Sequence, residues 1–365
     1  MNRKAILCGV LFAFLYLVGA SVDALADDGA VSVAVGGLVA RRETRIVMAK
    51  EVLRISIKKI VVDYDFRNDS DQNVITEVAF PVPPYGSSMD YPPAEIASFS
   101  DFKLSIDRKP ASFKVEAKAM FKGKDVTEIL VKDRLDVASF GNSEDGVTYC
   151  RNFVSLPESE KKRLTDMGII EVRDSTDCWA GWEVHLQYHW TQTFPAHSTT
   201  HIRHEYSPAE GVNAHMPLEA LQLAFTPGSA RTNSKRWKDS GAEAMSGFCL
   251  APEQLLGLIH RIKGNRHPVD VGEFYTQWVD FILTTANTWQ RPIEDFTLIV
   301  ERPETDLNDK DEVLMSFCSP QKAKMEKLDA NHTQVHLTNF VPTAELHIGF
   351  FDVPVAMADP TAGKK

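Results

Sequence analysis

The chain has 365 residues, 44% hydrophobic and 25% charged, with a formal net charge of −10. This composition excludes a disordered, collagen-like or polytopic membrane chain, and the negative balance leaves no electrostatic footprint for nucleic acid. At about 150 residues per domain, the length suits roughly two domains.

The first segment reads as an address. Asn2-Arg3-Lys4 is basic, Ala5 to Val18 is uncharged and apolar, and Ala24-Leu25-Ala26 is a small-residue cleavage site before Asp27-Asp28. Together they predict a secretory signal peptide over 1–26. An uncleaved anchor competes, because the uncharged stretch runs on to Val22. The well-formed site favours cleavage, which leaves no membrane span and a periplasmic or extracellular protein. Cys8 lies early in the apolar run, which disfavours a lipid anchor. Four cysteines then remain: Cys150, Cys178, Cys249 and Cys318. An even number in a secreted chain predicts disulfides, with three possible connectivities. Cys150–Cys178, bracketing a helical insertion, and Cys249–Cys318, tying a helix start to a strand end, are the favoured pairs. No C-x-x-C spacing supports zinc, and an oxidising compartment does not suit a thiol nucleophile.

Leu53, Ile55 and Ile57 alternate at odd numbers, whereas Ile60, Val62, Tyr64 and Phe66 alternate at even ones. The period of two predicts strand, and the change of parity predicts a bulge or break at Lys58-Lys59. Asn68 to Asp71 is turn chemistry, and Val74 to Val82 reads as the return strand. Phe102, Leu104 and Ile106 continue the strand pattern, and Asp107 to Pro110 turns the chain into Phe113 to Ala117. Capping-box-like Asp125-x-x-Glu128 and Ser155-x-x-Glu158, with Gly168 at a C′ position, predict a helical insertion over about 123–172. From Trp182 through Val184, Leu186, Tyr188 and Trp190 to Phe194 the alternation is the cleanest in the chain, and with Ile202 and Tyr206 it predicts a hairpin turning at Pro195 to Ser198. A helix follows near 252–263, then a stretch from Phe274 to Leu283 that suits helix or strand. Strands are predicted near 296–300, 313–317, 335–337 and 345–351. The fold class is therefore mainly β, as two β-sandwich-like domains with helical insertions, over 27–210 and 211–365.

Several motifs resemble those of a family of bacterial secreted proteins known as domain of unknown function 4424. They include Gly36-Gly37-Leu38, Glu51-x-Leu53, Tyr64-x-Phe66-x-Asn68 and Ala79-Phe80-Pro81-x-Pro83. Trp190 to Ala196, His204-x-Tyr206-x-Pro208, Asp280 to Asn287 with Trp289, Ser316-Phe317-Cys318 and Phe340-Val341-Pro342-x-x-Glu345-Leu346 extend the resemblance over nearly the whole mature chain. It implies a bacterial, exported protein and implies no activity. The acidic stretch Glu304 to Glu312 departs from the family pattern and affects loop length there. Modules of the vault/inter-trypsin-inhibitor type are similar at the level of fold alone.

Six histidines lie between 185 and 215: His185, His189, His197, His201, His204 and His215. A metal site built on His185, His189 and His201, with Glu205 beside them, is one reading. Parity puts those three histidines on an outer face and His204 in the core, near Trp190 or Tyr188. His185 and His189 stand about 13 Å apart along one strand, too far for one ion with bonds near ~2 Å. The expectation is therefore no metal, with a solvated outer face and a hydrogen-bonded core histidine. Asp69-x-Asp71-x-Asn73 opens like a calcium loop, but Val74 and Phe80 stand where Gly and Glu are needed, so a polar turn is favoured. The acids Glu304, Asp306, Asp309, Asp311 and Glu312 read as a solvated loop. Trp182, Tyr188, Trp190 and Phe194 would stack sugars if exposed, but their common parity predicts core. G-x-S-x-G and H-E-x-x-H are absent from the sequence. The reading favoured is a non-catalytic, cofactor-free binding or scaffolding protein of the cell envelope, whose partner is an envelope protein or a glycan. A secreted metal-dependent hydrolase and a carbohydrate-binding module are the alternatives.

Overall fold

The computed structural model describes residues 29–34, 37–86, 101–138, 151–172, 178–208, 210–217, 247–250, 252–265, 273–304 and 312–353. The leader, Cys150 and most of the acidic run (Asp306, Asp309, Asp311) lie outside the described residues. In chain order the elements are β1 (Gly29–Ala34), β2 (Gly37–Ala40), β3 (Ile46–Ile55), β4 (Ile60–Asn68), β5 (Val74–Pro81), β6 (Tyr85–Gly86), β7 (Lys103–Ile106), β8 (Lys109–Pro110), β9 (Lys114–Phe121), β10 (Lys124–Asp125), α1 (Thr127–Lys132), α2 (Arg151–Val154) and α3 (Glu158–Asp166). Then follow β11 (Ile170–Val172), β12 (Cys178–Ala180), β13 (Glu183–Phe194), β14 (Ser198–Tyr206), β15 (Glu210–Pro217), α4 (Pro252–Asn265), β16 (Glu273–Phe281), β17 (Ile293–Glu301), β18 (Glu312–Phe317), β19 (Met325–Lys327), β20 (His332–Phe340) and β21 (Leu346–Val353). The protein is mainly β.

Two large sheets carry the architecture. One has seven strands in the order β10-β9-β13-β5-β1-β2, with β6 also on β13. The other has eight, β19-β20-β17-β3-β4-β14-β7-β8. Their inward rings meet: Phe66 on β4 lies 5.7 Å from Phe194 on β13, and Trp190 on β13 lies 5.3 Å from His204 on β14. The parity change near residue 58 is a tight turn. Ser56 N donates to Lys59 O at 2.9 Å, and Lys59 N donates back to Ser56 Oγ at 3.0 Å. A register shift between Met48 and Lys50 lets Ile46 and Met48 share the inward face with Glu51, Leu53 and Ile55.

Two expectations are corrected. The stretch from Val74 is not the return strand of β4, since β5 pairs with β13 and β1 in the other sheet. Nor do β13 and β14 form a hairpin: β13 pairs with β5, β6 and β9, while β14 pairs with β4 and β7. Both turns carry the chain from one sheet to the other. An inward phase of period two looks the same whether the partner lies beside the strand or across the core. The crossings are laced together. Asn68 Nδ2 donates to Gln72 O and to Phe194 O, both at 2.9 Å, and Ala196 N donates to Asn73 Oδ1 at 2.9 Å. His197 Nε2 lies 2.8 Å from Asp71 Oδ1. Asp71 and Asn73 thus serve the turn, as its chemistry suggests.

Within 123–172 the described residues form α1, α2 and α3 together with strands β10 and β11, and the helix caps differ from the expected ones. Asp125 Oδ1 accepts from Thr127 N at 2.9 Å, whereas Ser155 Oγ donates to Asn152 O and Pro157 stands at the N-cap of α3. Gly168, at φ +72°, ends α3 in the left-handed region that glycine adopts without strain. The Phe274 to Leu283 stretch is strand over β16. A four-stranded sheet, β15-β16-β21-β18, has its Val279, Phe281, Ile348 and Phe350 in the common core. Phe248 seals it at Gly349, where a Cβ would lie 2.7 Å from the Phe248 ring. Beside it, Cys249 is bonded to Cys318 with Cα atoms 4.9 Å apart, joining the approach to α4 to the end of β18. Cys178 is disulfide-bonded as well. Strand β17 lies parallel to β3, so the eight-stranded sheet takes strands from both sides of residue 210.

Candidate functional site

The inward phase of β4 and β14 leaves Val61, Asp63, Asp65 and Arg67, and Thr199, His201, Arg203 and Glu205, on the outer face of the eight-stranded sheet. The antiparallel register sets His201 opposite Asp65 and Arg203 opposite Asp63. His201 Nδ1 lies 3.0 Å from Asp65 Oδ1, and its Nε2 lies 3.4 Å from Asp63 Oδ1. Arg203 Nη1 donates to both oxygens of Asp63, at 2.9 and 2.8 Å, and Arg54 Nη1 on β3 donates to Oδ2 at 2.8 Å. Glu205 accepts from Lys59 in the β3–β4 turn and from Lys103 on β7, the latter at 3.3 Å. The Lys59 bond, with help from Lys103, holds the Glu205 carboxyl below its ordinary range. A lattice of alternating charge therefore spans β3, β4, β14 and β7.

It continues toward the other end of β4. Arg67 donates through Nη1 and Nη2 to Glu294 at 2.8 and 2.9 Å, and through Nε to Asp69 at 2.8 Å. Arg291 also reaches Glu294, at 2.7 Å. The Arg67 hydrogen bond lowers the Glu294 pKa and raises that of Arg67. Each pair is partly exposed, so single bridges contribute little stability. Their joint effect is to fix long side chains in place, which prepays ordering entropy for anything docking there.

The four candidate ligands are not brought together. His185 and His189 lie on β13, on the outer face of the seven-stranded sheet, and His201 and Glu205 lie on the outer face of the eight-stranded one. His189 Nδ1 stands 2.7 Å from Glu77 Oε1, and Thr191 Oγ1 donates to Glu77 Oε2 at 2.8 Å. His185 is 3.9 Å from Glu183, and burial pushes its pKa down, outweighing that acid. His215 lies in β15. Among the described residues, no three histidine, cysteine or acidic side chains are grouped to hold a metal ion. His204 is buried in the core as parity requires, 5.3 Å from Trp190 and 4.8 Å from Phe80, and burial lowers its pKa to about 3. Trp182, Tyr188, Trp190 and Phe194 are buried and present no stacking platform. Glu304 accepts from Asn331, and Glu312 is paired with Arg261 and Arg302.

Sequence reasoning passed over Arg54, Asp63, Asp65, Lys59 and Lys103. For Asp63 and Asp65 the signal was the odd-numbered polar phase of 61–67, which marks an outer face but names no partner across strands; Arg54, Lys59 and Lys103 lie outside that phase.

The family model described as "Domain of unknown function (DUF4424)" matches residues 26–348. A search of curated proteins finds no match. Among solved structures, a Legionella pneumophila protein named for a suspected nutrient-binding role is similar at 13% identity and a TM-score of 0.38, covering 90% of this chain and 70% of that one. An M1 zinc metallopeptidase from Deinococcus radiodurans is similar at 6% identity and a TM-score of 0.26. That match covers 85% of this chain and 43% of the peptidase, so the chain spans less than half of its length. At these scores neither likeness carries an argument.

Proposed function

We propose, for a chain that belongs to the family of domain of unknown function 4424, a non-catalytic binding or scaffolding role in the cell envelope. The observation that carries this reading is the cross-braced lattice on the outer face of the eight-stranded sheet. Asp63 alone engages Arg54, Arg203 and His201. A rigid field of alternating sign favours selective docking of a partner with the complementary pattern, through on-rate and rejection of mismatched partners more than through raw affinity. The Cys249–Cys318 disulfide supports an exported location, and the leader motif at 1–26 agrees with it.

Co-purification from an envelope fraction tests the reading. A specific partner is expected to be retained by the wild-type protein at physiological salt. It is expected to be lost near ~1 M salt, where the screening length falls to about 3 Å, and from an Asp63→Asn, Arg203→Gln variant. Retention indifferent to both changes overturns it. So does a stoichiometric metal in protein purified from periplasm that disappears in His201→Ala.

A further inference from the structure

We propose that a depression at the β3–β4 turn end of the eight-stranded sheet binds a small organic monocarboxylate with a short apolar body. The cavity holds about 150 Å³, below the range that accommodates drug-sized ligands, so its occupant is small. Arg54 on β3 lines it, with Val61 on β4 and Ile299 on β17 as direct cross-strand neighbours. These two branched side chains make the floor apolar. The guanidinium is half-exposed, and among the described residues only its Nη1 is engaged, by Asp63. The N–H groups that remain can fork onto a carboxylate. Lys59, also half-exposed and bonded to Glu205, places a second cationic group at the turn.

Across the depression stand Glu301 and His332, which are paired in register as neighbours through β17 and β20. His332 Nδ1 lies 2.9 Å from Asp329. One carboxylate on the rim disfavours a dianion, and an apolar floor gives inorganic anions nothing to bury. A monoanion with a few carbons satisfies both ends at once: its charge faces Arg54 and Lys59, and its body covers Val61 and Ile299. This site goes beyond the docking role and stands without it.

Titration of the full-length protein with butyrate, acetate and inorganic phosphate, followed by amide NMR, tests the assignment. Butyrate is expected to give saturable shifts centred on Arg54, Ser56, Val61 and Ile299, with acetate weaker and phosphate weakest. Arg54→Gln is expected to weaken butyrate about tenfold, the loss of one charge-assisted pair. Ile299→Trp, an outward strand position that tolerates an aromatic residue, is expected to fill the depression and abolish the shifts while far-ultraviolet circular dichroism stays unchanged. Three results overturn the assignment: no saturation by butyrate at concentrations on the order of 10 mM, phosphate bound as tightly as butyrate, or undiminished binding by Ile299→Trp. Should Arg54→Gln fail to fold, Ile299→Trp and Lys59→Gln carry the test.

Discussion

His204 shows how one buried side chain ties stability to pH. It sits among Tyr64, Phe80, Phe102 and Trp190 with no exposed surface. Removal from water disfavours the imidazolium, so the folded pKa falls to about 3 from an ordinary 6.5. Between those values the unfolded chain binds more protons than the folded one, so stability rises with pH across that window. The contribution is complete above pH 6.5 and is lost progressively as pH falls toward 3. The slope approaches about 1.4 kcal/mol per pH unit within the window. Urea unfolding at pH 7 and pH 5 should show that His204→Phe loses less stability between the two than the wild type does. Equal losses would place the acid sensitivity elsewhere.

At the scale of elements, a short turn at 247–250 clasps the four-stranded sheet. Phe248 stacks on His347 with ring centroids 4.2 Å apart and lies against Gly349, and Cys249 anchors this turn to Cys318. The cysteines are separated by 69 residues, and a cross-link closing a loop of that length stabilises by about 4 kcal/mol through the unfolded chain. Its removal should also free Phe248 from the sheet. A Cys249→Ser, Cys318→Ser variant is expected to unfold at lower denaturant and to be cut by protease first within 247–250. Unchanged stability and an intact clasp would mean that Phe248 packing suffices without the bond.

At the scale of the whole molecule, the parallel pairing of β17 with β3 joins early and late parts of the chain. Asp295 stands opposite Lys50, and Val300 opposite Ile55. Expressed alone, residues 27–210 would keep β3 and β4 but leave the long edge of β3 unpaired and apolar on one face, a template for aggregation. The fragment is expected to be insoluble, or oligomeric by size-exclusion chromatography, and co-expression with 211–365 should restore a soluble pair. A monomeric, cooperatively unfolding 27–210 fragment would show instead that the two segments are autonomous domains.

Legible in the amino-acid sequence were the strands of 60–66 and 182–206, the inward side chains of Ile60 to Phe66 and Trp182 to Phe194, the core position of His204, and the match of Cys249 with Cys318. Those features are written in local periodicity and spacing. The crossings between sheets after Asn68 and after Phe194, the pairing of β17 with β3, and the gathering of Arg54, Arg203 and His201 on Asp63 emerge in the fold alone. Strand partnership is a choice among distant segments with similar hydrophobic phase. Periodicity fixes which face a side chain takes, whereas register and crossings follow from how all the inward rings pack at once.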